Sequence, residues 1–148
     1  MPYDPRMVQP MREELTVLGV KELLTAKDVD DFLAAKTGTS MVFVNSVCGC
    51  AAGGARPGLR LALKNAARPD RVATVFAGQD VEAVARAREH FEGIPPSSPS
   101  IALFKDGKLV HFVPRHAIEG RDPGTVGYGL VEAFDKFCAP AGAPATKA

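Results

Sequence analysis

Two cysteines, Cys48 and Cys50, are separated only by Gly49 and are the residues of this sequence best suited to a reaction. They follow an apolar, β-branched segment at 40–46, which predicts a strand buried on both faces, and they precede a predicted helix at 51–63. Backbone N–H groups at the start of a helix are unsatisfied and carry partial positive charge, so they favour a thiolate over a thiol. Because the thiolate is the nucleophilic form of cysteine, this arrangement predicts a reactive dithiol.

The one-residue spacing favours a pair that is oxidised and reduced repeatedly over a structural disulfide. Two residues of extended chain span at most about 7 Å, close to the upper limit of the Cα separation in a disulfide. Closing Cys48 to Cys50 therefore needs a turn, which Gly49 can supply because it has no Cβ. Such a short bridge is expected to be strained and easily reduced, and its loop would constrain the unfolded chain very little.

Two other interpretations of the pair remain open. A zinc or iron–sulfur site needs about four ligands, and only Cys138 and the three histidines could complete it. Alternatively, the two cysteines could be buried and inert. We expect no metal site, and we interpret the acidic residues Asp28, Asp30 and Asp31 as complementing the dipole at a helix start.

Composition narrows the class of protein. With 148 residues the chain is long enough to bury a core, and we expect one domain over 1–138, with an irregular segment at 1–10 and a disordered, proline-rich tail at 139–148. A formal net charge of +1 provides no electrostatic case for binding nucleic acid or an anionic membrane, and no apolar run approaches the length of a membrane span. Residues 1–6 lack the apolar centre of a secretory signal, so we expect a cytoplasmic protein, because thiols stay reduced in that compartment.

The remaining segments alternate between strand and helix patterns. Thr25, with Asp28 three residues further on, is a predicted helix cap, and Asp106-Gly107 is a strong hairpin signal. In chain order, the sequence predicts helices at 11–18 and from residue 26, a strand at 40–46, a helix at 51–63, a strand at 71–77, a helix at 81–91, strands at 101–105 and 108–113, and a helix at 126–137.

Two features of the helix predicted after the dithiol have alternative explanations. Gly53 and Gly54 weaken a helix, and they mark either the close approach of another backbone or of a substrate, or a loose first turn. Arg56, Arg60 and Lys64 fall at four-residue steps and form a basic stripe. We expect this stripe to be a solvated helix face, with attraction of an anionic thiol or an acidic partner as the functional alternative.

Four blocks of this sequence, taken in order, resemble the bacilliredoxin family: residues 45–53, which contain the two cysteines, and residues 74–80, 96–100 and 110–120. The resemblance extends from about residue 11 to residue 138. It implies an α/β fold, a thioredoxin-like three-layer sandwich with a central mixed four-stranded sheet flanked by helices. It also implies thiol–disulfide exchange, because the first cysteine in this family attacks a mixed disulfide between bacillithiol and a client protein and frees the client thiol.

The resemblance assigns roles to individual residues of this chain. Cys48 is the attacking thiol. Cys50 either resolves the mixed disulfide, expelling bacillithiol and leaving a Cys48–Cys50 bridge, or only modulates its neighbour while a low-molecular-weight thiol resolves. Thioredoxin-like proteins place a cis-proline opposite the dithiol, and Pro99 matches that position, so we expect a cis Ser98–Pro99 bond. Gly49, Ser98 and Pro99 are the expected substrate-binding residues, and bacillithiol enters as a substrate, with no cofactor expected.

The sequence departs from thioredoxin itself, because its Cys-x-Cys is one residue shorter than Cys-x-x-Cys and no tryptophan precedes it. Arg115, His116 and Glu119 belong to the last of the four blocks, and they either shape a substrate groove or anchor a turn. His111 alternates with core positions and is expected to be structural. Cys138 is expected to be a spare thiol, with an intermolecular disulfide as the alternative.

Three functions therefore compete. The leading prediction is an oxidoreductase that removes bacillithiol from client proteins. The second is a general protein disulfide reductase or weak isomerase that uses the same cysteines on unselected clients. The third is a non-enzymatic thioredoxin-like module that binds a protein or holds a soft metal ion through Cys48 and Cys50.

Overall fold

A mixed sheet of five strands forms the centre of the protein. The computed structural model describes residues 2–140. The strands are β1 (Lys21–Glu22), β2 (Thr39–Asn45), β3 (Arg71–Phe76), β4 (Ser100–Lys105) and β5 (Lys108–Val113). They lie in the order β1-β3-β2-β4-β5, in which the first three are parallel, β4 is antiparallel to β2, and β5 is antiparallel to β4.

Helices cover both faces of this sheet and make it the middle of three layers. The helices are α1 (Pro5–Thr16), α2 (Ala26–Leu33), α3 (Arg56–Ala62), α4 (Val81–Glu89) and α5 (Pro123–Phe137), with a π-helical turn at Ala51–Ala55 and a 3-10 turn at Arg115–Ala117. Core residues of α1, α3 and α5 pack on one face, and those of α2 and α4 pack on the other. The predicted α/β sandwich is confirmed. None of the helices within residues 2–140 has the length and apolar content that a bilayer crossing requires.

Strand β2 is apolar at successive positions because it has helices on both sides. Met41 and Phe43 pack in the core cluster of α1, α3 and α5, whereas Val42 and Val44 pack in the cluster of α2 and α4. All four side chains are at most 1% exposed. Burying a large apolar side chain in this way contributes about 1.5–3 kcal/mol. The strand that leads into the dithiol is therefore held firmly between the two helical layers.

Two local predictions, the helix cap at Thr25 and the hairpin turn at Asp106-Gly107, are confirmed. The Thr25 hydroxyl accepts the N–H of Asp28 at 3.1 Å, and the Asp28 carboxylate accepts the N–H of Thr25 at 3.2 Å, which is a complete capping box at the start of α2. Asp106 and Gly107 have φ angles of 52° and 84°, as a tight turn between β4 and β5 requires.

The irregular segment predicted at 1–10 is wrong, because α1 already begins at Pro5. The Asp4 carboxylate accepts the N–H of Arg6 at 2.9 Å and so caps the helix. A proline in the first helical turn lacks only an N–H that has no partner within the helix, and its fixed φ suits helical backbone. The proline therefore starts this helix instead of preventing it.

The predicted strand count and the predicted start of the tail are also wrong. Strand β1 pairs in parallel with Ala73 and Thr74 of β3, so the sheet has five strands and not four. A strand of two residues is too short to show a periodic pattern, and it exists only through this pairing. Pro140 forms an antiparallel bridge with Ala67, so the chain is still ordered there. The rest of the predicted tail, 141–148, lies outside the described residues.

Candidate active site

The two cysteines lie where β2 gives way to a helix. Both are free and half-buried, and the helix begins at residues 49–50. The carbonyl oxygen of Cys48 accepts the N–H groups of Ala51 at 3.1 Å and Ala52 at 3.3 Å, which places Cys48 immediately ahead of the helix. The helix predicted to follow the dithiol is therefore confirmed, with Cys48 next to the free N–H groups of its first turn.

The first part of this helix is π-helical, which the sequence pattern did not indicate. The N–H of Arg56 donates to the carbonyl oxygen of Ala51, five residues back. A π-turn inserts one extra residue into a helix, and such turns occur frequently at functional sites. The side chain of Arg56, which follows this turn, contacts Asn45 and Ser46 at the end of β2.

Cys48 lies in surroundings that favour its thiolate. Burial by itself raises the pKa of Cys48, but the hydrogen bond from the Ser46 hydroxyl opposes it, as do the N–H groups of Ala51 and Cys50. The positive charge of Arg115 acts in the same direction. Together these interactions bring the pKa of Cys48 below its usual value, so that more of it is ionised near neutral pH than of an ordinary cysteine.

Cys50 lies in surroundings that favour its protonated thiol. Burial raises the pKa of Cys50, and the negative charge and hydrogen bonding of Cys48 raise it further. The carboxylate of Glu119 acts in the same direction, while Arg115 opposes these effects only in part. The two thiols are therefore chemically unequal, with Cys48 as the better nucleophile at neutral pH.

The predicted substrate-binding residues lie at the same edge of the sheet. The Ser98–Pro99 bond is cis, as expected from the resemblance. Ser100, the first residue of β4, pairs with Val44 of β2. The cis bond immediately precedes Ser100, so it lies near the end of β2 that leads into the dithiol. Pro99 is buried and Ser98 half-buried, whereas Gly49 is exposed at the start of the helix.

Arg115 connects the cis-proline loop to the surroundings of the thiols. Its backbone N–H donates to the Ser97 hydroxyl at 3.2 Å, and its guanidinium donates to the carbonyl oxygen of Ser98 at 3.3 Å and to Glu119 at 3.4 Å. Arg115 is thus both an anchor of its turn and a source of charge for the dithiol. His116, beside it, is exposed.

Arg56 is the main residue that sequence reasoning placed wrongly. Its side chain is 2% exposed, so the basic stripe does not exist as one solvated face, although Arg60 and Lys64 are exposed. The guanidinium donates to the Asn45 side chain at 2.9 Å and to the carbonyl oxygen of Ser46 at 2.8 Å. The signal in the sequence was the polar Asn-Ser pair after an apolar strand, because buried polar groups need partners.

The third cysteine lies at the other end of β2. Cys138 is 9% exposed and lies near Thr39, the first residue of β2. Burial raises its pKa to about 11. A buried, protonated thiol is poorly suited to an intermolecular disulfide, which favours the prediction that Cys138 is a spare thiol.

The remaining candidate groups have structural surroundings. The ring of His111 packs on that of Phe137 with centroids 6.4 Å apart, and burial lowers its pKa. These contacts agree with the structural role expected for this histidine. Within residues 2–140, no group of three or more His, Cys, Asp or Glu side chains could hold a metal ion.

A three-layer α/β fold with a dithiol between the central strand and a helix, opposite a cis-proline, defines the thioredoxin-like thiol–disulfide oxidoreductases. The structure is similar to that of thioredoxin from Fasciola hepatica, with a TM-score of 0.56 and 21% identity over 80% of this chain and 99% of the thioredoxin. The thioredoxin-like fold is therefore confirmed.

Sequence comparison narrows this class to a family. A family model described as disulphide isomerase matches residues 3–138. A bacilliredoxin of Salinibacter ruber is 54% identical, covering 97% of this chain and 88% of the relative. A bacilliredoxin of Koribacter versatilis is also 54% identical, covering 95% of this chain and 98% of the relative. The chain belongs to the bacilliredoxin family, as the sequence blocks predicted, and it is a thiol–disulfide oxidoreductase.

Proposed function

We propose that this oxidoreductase removes bacillithiol from client proteins, with Cys48 and Cys50 as its catalytic residues. The observation that carries the proposal is the inequality of the two thiols, one with a lowered pKa and the other with a raised pKa, one residue apart at the start of a helix. The bacilliredoxin names of relatives with about half of their residues identical support the choice of substrate.

In the first proposed step, the Cys48 thiolate attacks the bacillithiol sulfur of the mixed disulfide. A bond forms between Cys48 and that sulfur, the old S–S bond breaks, and the client leaves as a thiolate, which takes up a proton from water. The step is an exchange, so the number of disulfides and thiols is unchanged. Its rate depends on the thiolate fraction of the attacking cysteine, which the surroundings of Cys48 raise.

In the second proposed step, Cys50 attacks the sulfur of Cys48, and bacillithiol leaves as a thiolate while a Cys48–Cys50 disulfide forms. Once Cys48 is bonded to bacillithiol, its negative charge is gone, and with it one of the causes that raise the pKa of Cys50. Cys50 therefore becomes a better nucleophile after the first step than before it. The alternative is that Cys50 only modulates Cys48 and that a second low-molecular-weight thiol releases bacillithiol.

Gly49, Ser98 and Pro99 are the proposed contacts to the substrate. A Cβ built on Gly49 would have no atom within 4 Å outside its two chain neighbours, so the space beside Gly49 is open. Ser98 and Pro99 border the same edge of the sheet. In this proposal bacillithiol is a substrate, no cofactor takes part, and the protein works in the cytoplasm, where thiols are kept reduced.

A general disulfide reductase or weak isomerase is the second candidate, because the matching family model is described as disulphide isomerase. It would use the same two cysteines. The two candidates differ in selectivity, since only the first predicts that a bacillithiol mixed disulfide is preferred to a glutathione mixed disulfide on the same client.

The experiment is a thiol-transfer assay read by intact mass. Reduced protein is mixed with a client carrying bacillithiol, and Cys48→Ser and Cys50→Ser are compared with the wild type. We expect Cys48→Ser to leave bacillithiol on the client. We expect Cys50→Ser to free the client and to retain a trapped bacillithiol adduct on Cys48. Cys138→Ala is the matched control, because it removes the third thiol, far from the dithiol, and it is expected to release bacillithiol like the wild type.

Other outcomes overturn the proposal. If wild-type protein leaves the bacillithiol adduct in place but reduces generic disulfides, the general reductase is correct. If Cys50→Ser releases bacillithiol as fast as the wild type without trapping an adduct, Cys50 is not the resolving thiol, and the low-molecular-weight thiol takes that role.

A further inference from the structure

Arg56 is a buried charged residue that the two proposed exchange steps do not use. Its side chain is 2% exposed, and removing a charge from water costs several kcal/mol unless partners replace the water. Here Nη1 donates to Asn45 Oδ1 at 2.9 Å and to the Ser46 carbonyl oxygen at 2.8 Å, and Nε donates to Glu14 Oε1 at 2.9 Å. The charge is thus satisfied by the end of β2 and by α1.

These contacts hold the chain on both sides of the dithiol. On the strand side, the guanidinium of Arg56 is bonded to Asn45 and Ser46. On the helix side, the backbone N–H of the same residue is bonded to the carbonyl oxygen of Ala51. The segment between these attachments contains both cysteines, so one residue contacts the chain both before and after the dithiol.

The network continues from Arg56 to Cys48. Asn45 Oδ1 also accepts the N–H of Ser46 at 2.9 Å, and Ser46 Oγ accepts the N–H of Cys48 at 3.2 Å. The Ser46 hydroxyl thus lies beside Cys48, where its hydrogen bonding lowers the pKa of that thiol. The titratable and charged groups facing this thiol are Cys50 and Arg115, whereas Arg56 reaches it through Asn45 and Ser46.

We propose that Arg56 is a positioning residue of the dithiol, because it holds the 45–48 turn in the conformation in which the Ser46 hydroxyl is hydrogen-bonded to Cys48. Without the guanidinium, Asn45 and the Ser46 carbonyl oxygen lose their shared donor, and Ser46 is free to move away from Cys48. This inference depends on the proposed role of Cys48 as the attacking thiol, and it deepens that role by naming the group that keeps the thiol in place.

The test is a double-mutant cycle of Ser46→Ala and Arg56→Met, read as the pH dependence of Cys48 alkylation by iodoacetamide. Peptide mass spectrometry reports Cys48 separately from the other cysteines. Each single variant is expected to move the midpoint of the curve to higher pH and to slow alkylation at pH 7 by about threefold to tenfold, as when one hydrogen bond to a charged group is lost. The double variant is expected to match Ser46→Ala, because both changes remove the same interaction.

Two controls separate positioning from general loss of structure. Arg60→Met removes an exposed arginine one turn further along the helix, and it is expected to leave the midpoint unchanged. Arg56→Lys keeps the positive charge but replaces the planar fork of donors, so it folds more readily than Arg56→Met and is expected to give an intermediate midpoint.

Either of two results would overturn the inference. One is an Arg56→Lys or Arg56→Met variant that melts at a lower temperature but keeps the wild-type midpoint, which is the behaviour of a purely structural residue. The other is a double variant whose shift is the sum of the single shifts. The midpoint is measured without bacillithiol. If bacillithiol is not the substrate, the result for Arg56 is therefore unaffected, and an unchanged midpoint in the Arg56 variants would not contradict the proposed substrate.

Discussion

Arg115 donates a hydrogen bond from its guanidinium to the carbonyl oxygen of Ser98 at 3.3 Å, on the peptide that precedes the cis-proline. The same guanidinium lowers the pKa of Cys48 through its charge, although burial and the Ser46 hydrogen bond have larger effects on that thiol. One side chain therefore connects the loop proposed to contact the client with the thiol proposed to attack it.

Replacing Arg115 by methionine is expected to raise the pKa of Cys48, because a positive charge near the thiolate is lost. Arg115 is half-buried, so solvent screens part of its charge, and we expect the alkylation rate of Cys48 at pH 7 to fall by only about twofold to fivefold. The measurement is the rate of Cys48 alkylation between pH 5 and pH 10. Arg115→Lys, which keeps the charge, is the control and is expected to retain most of the rate. An Arg115→Met curve identical to that of the wild type would contradict the prediction.

Stability at alkaline pH is expected to depend on Cys138. Its pKa is usually near 9.0 and is raised to about 11 in the folded protein, so between these values the unfolded chain has lost a proton that the native state retains. The stabilising contribution of the protonated thiol is fully present below pH 9 and is lost as the pH rises toward 11. The loss is expected to reach about 2 kcal/mol by pH 10.5.

Urea unfolding of the wild type and of Cys138→Ala, from pH 8 to pH 10.5, measures this effect. Cys48 and Cys50 titrate in both proteins, so their contributions cancel in the difference between the two unfolding free energies. That difference is expected to shrink as the pH rises. If it stays constant, the thiol of Cys138 is not held protonated by burial.

The glycines of the helix after the dithiol are expected to differ in their tolerance of alanine. A Cβ on Gly58 would lie 2.7 Å from Val126 Cγ1, whereas a Cβ on Gly53 would have no atom within 4 Å. Gly58→Ala is therefore expected to cost about 1–3 kcal/mol by forcing α3 and α5 apart, and Gly53→Ala is expected to be neutral or to stabilise by up to about 1 kcal/mol. Chemical denaturation of the two variants gives both values. Equal effects would show that the helices can separate at no cost.

The same geometry decides between the two explanations for the glycines of the π-helical turn. A Cβ on Gly54 would lie 3.1 Å from the carbonyl oxygen of Arg121, so this glycine does mark the close approach of another backbone. Gly53 does not. The sequence pattern could not separate the two, because the neighbour that makes the difference is 67 positions away in the chain.

Features that depend on neighbouring residues followed from the sequence alone. The cap at Thr25, the hairpin at Asp106-Gly107 and the apolar strand before the dithiol all arise from interactions within a few residues. The resemblance to a known family added the fold class and the cis Ser98–Pro99 bond. The prediction that residues 1–10 are irregular was wrong, because a proline can either end or begin a helix, depending on its position.

Features that depend on distant contacts were decided by the tertiary structure. Arg56 belongs to an apparent basic stripe in the sequence, but the π-turn and the packing of α3 against the sheet bury it beneath the dithiol. Arg115 reaches the thiols only because β5 lies beside β4 and the chain returns past the cis-proline loop. The placement of a dithiol between a strand and a helix could be predicted from the local residue pattern. The tertiary structure decided which charges and hydrogen bonds surround each thiol, because those groups come from segments that only sheet order and register bring together.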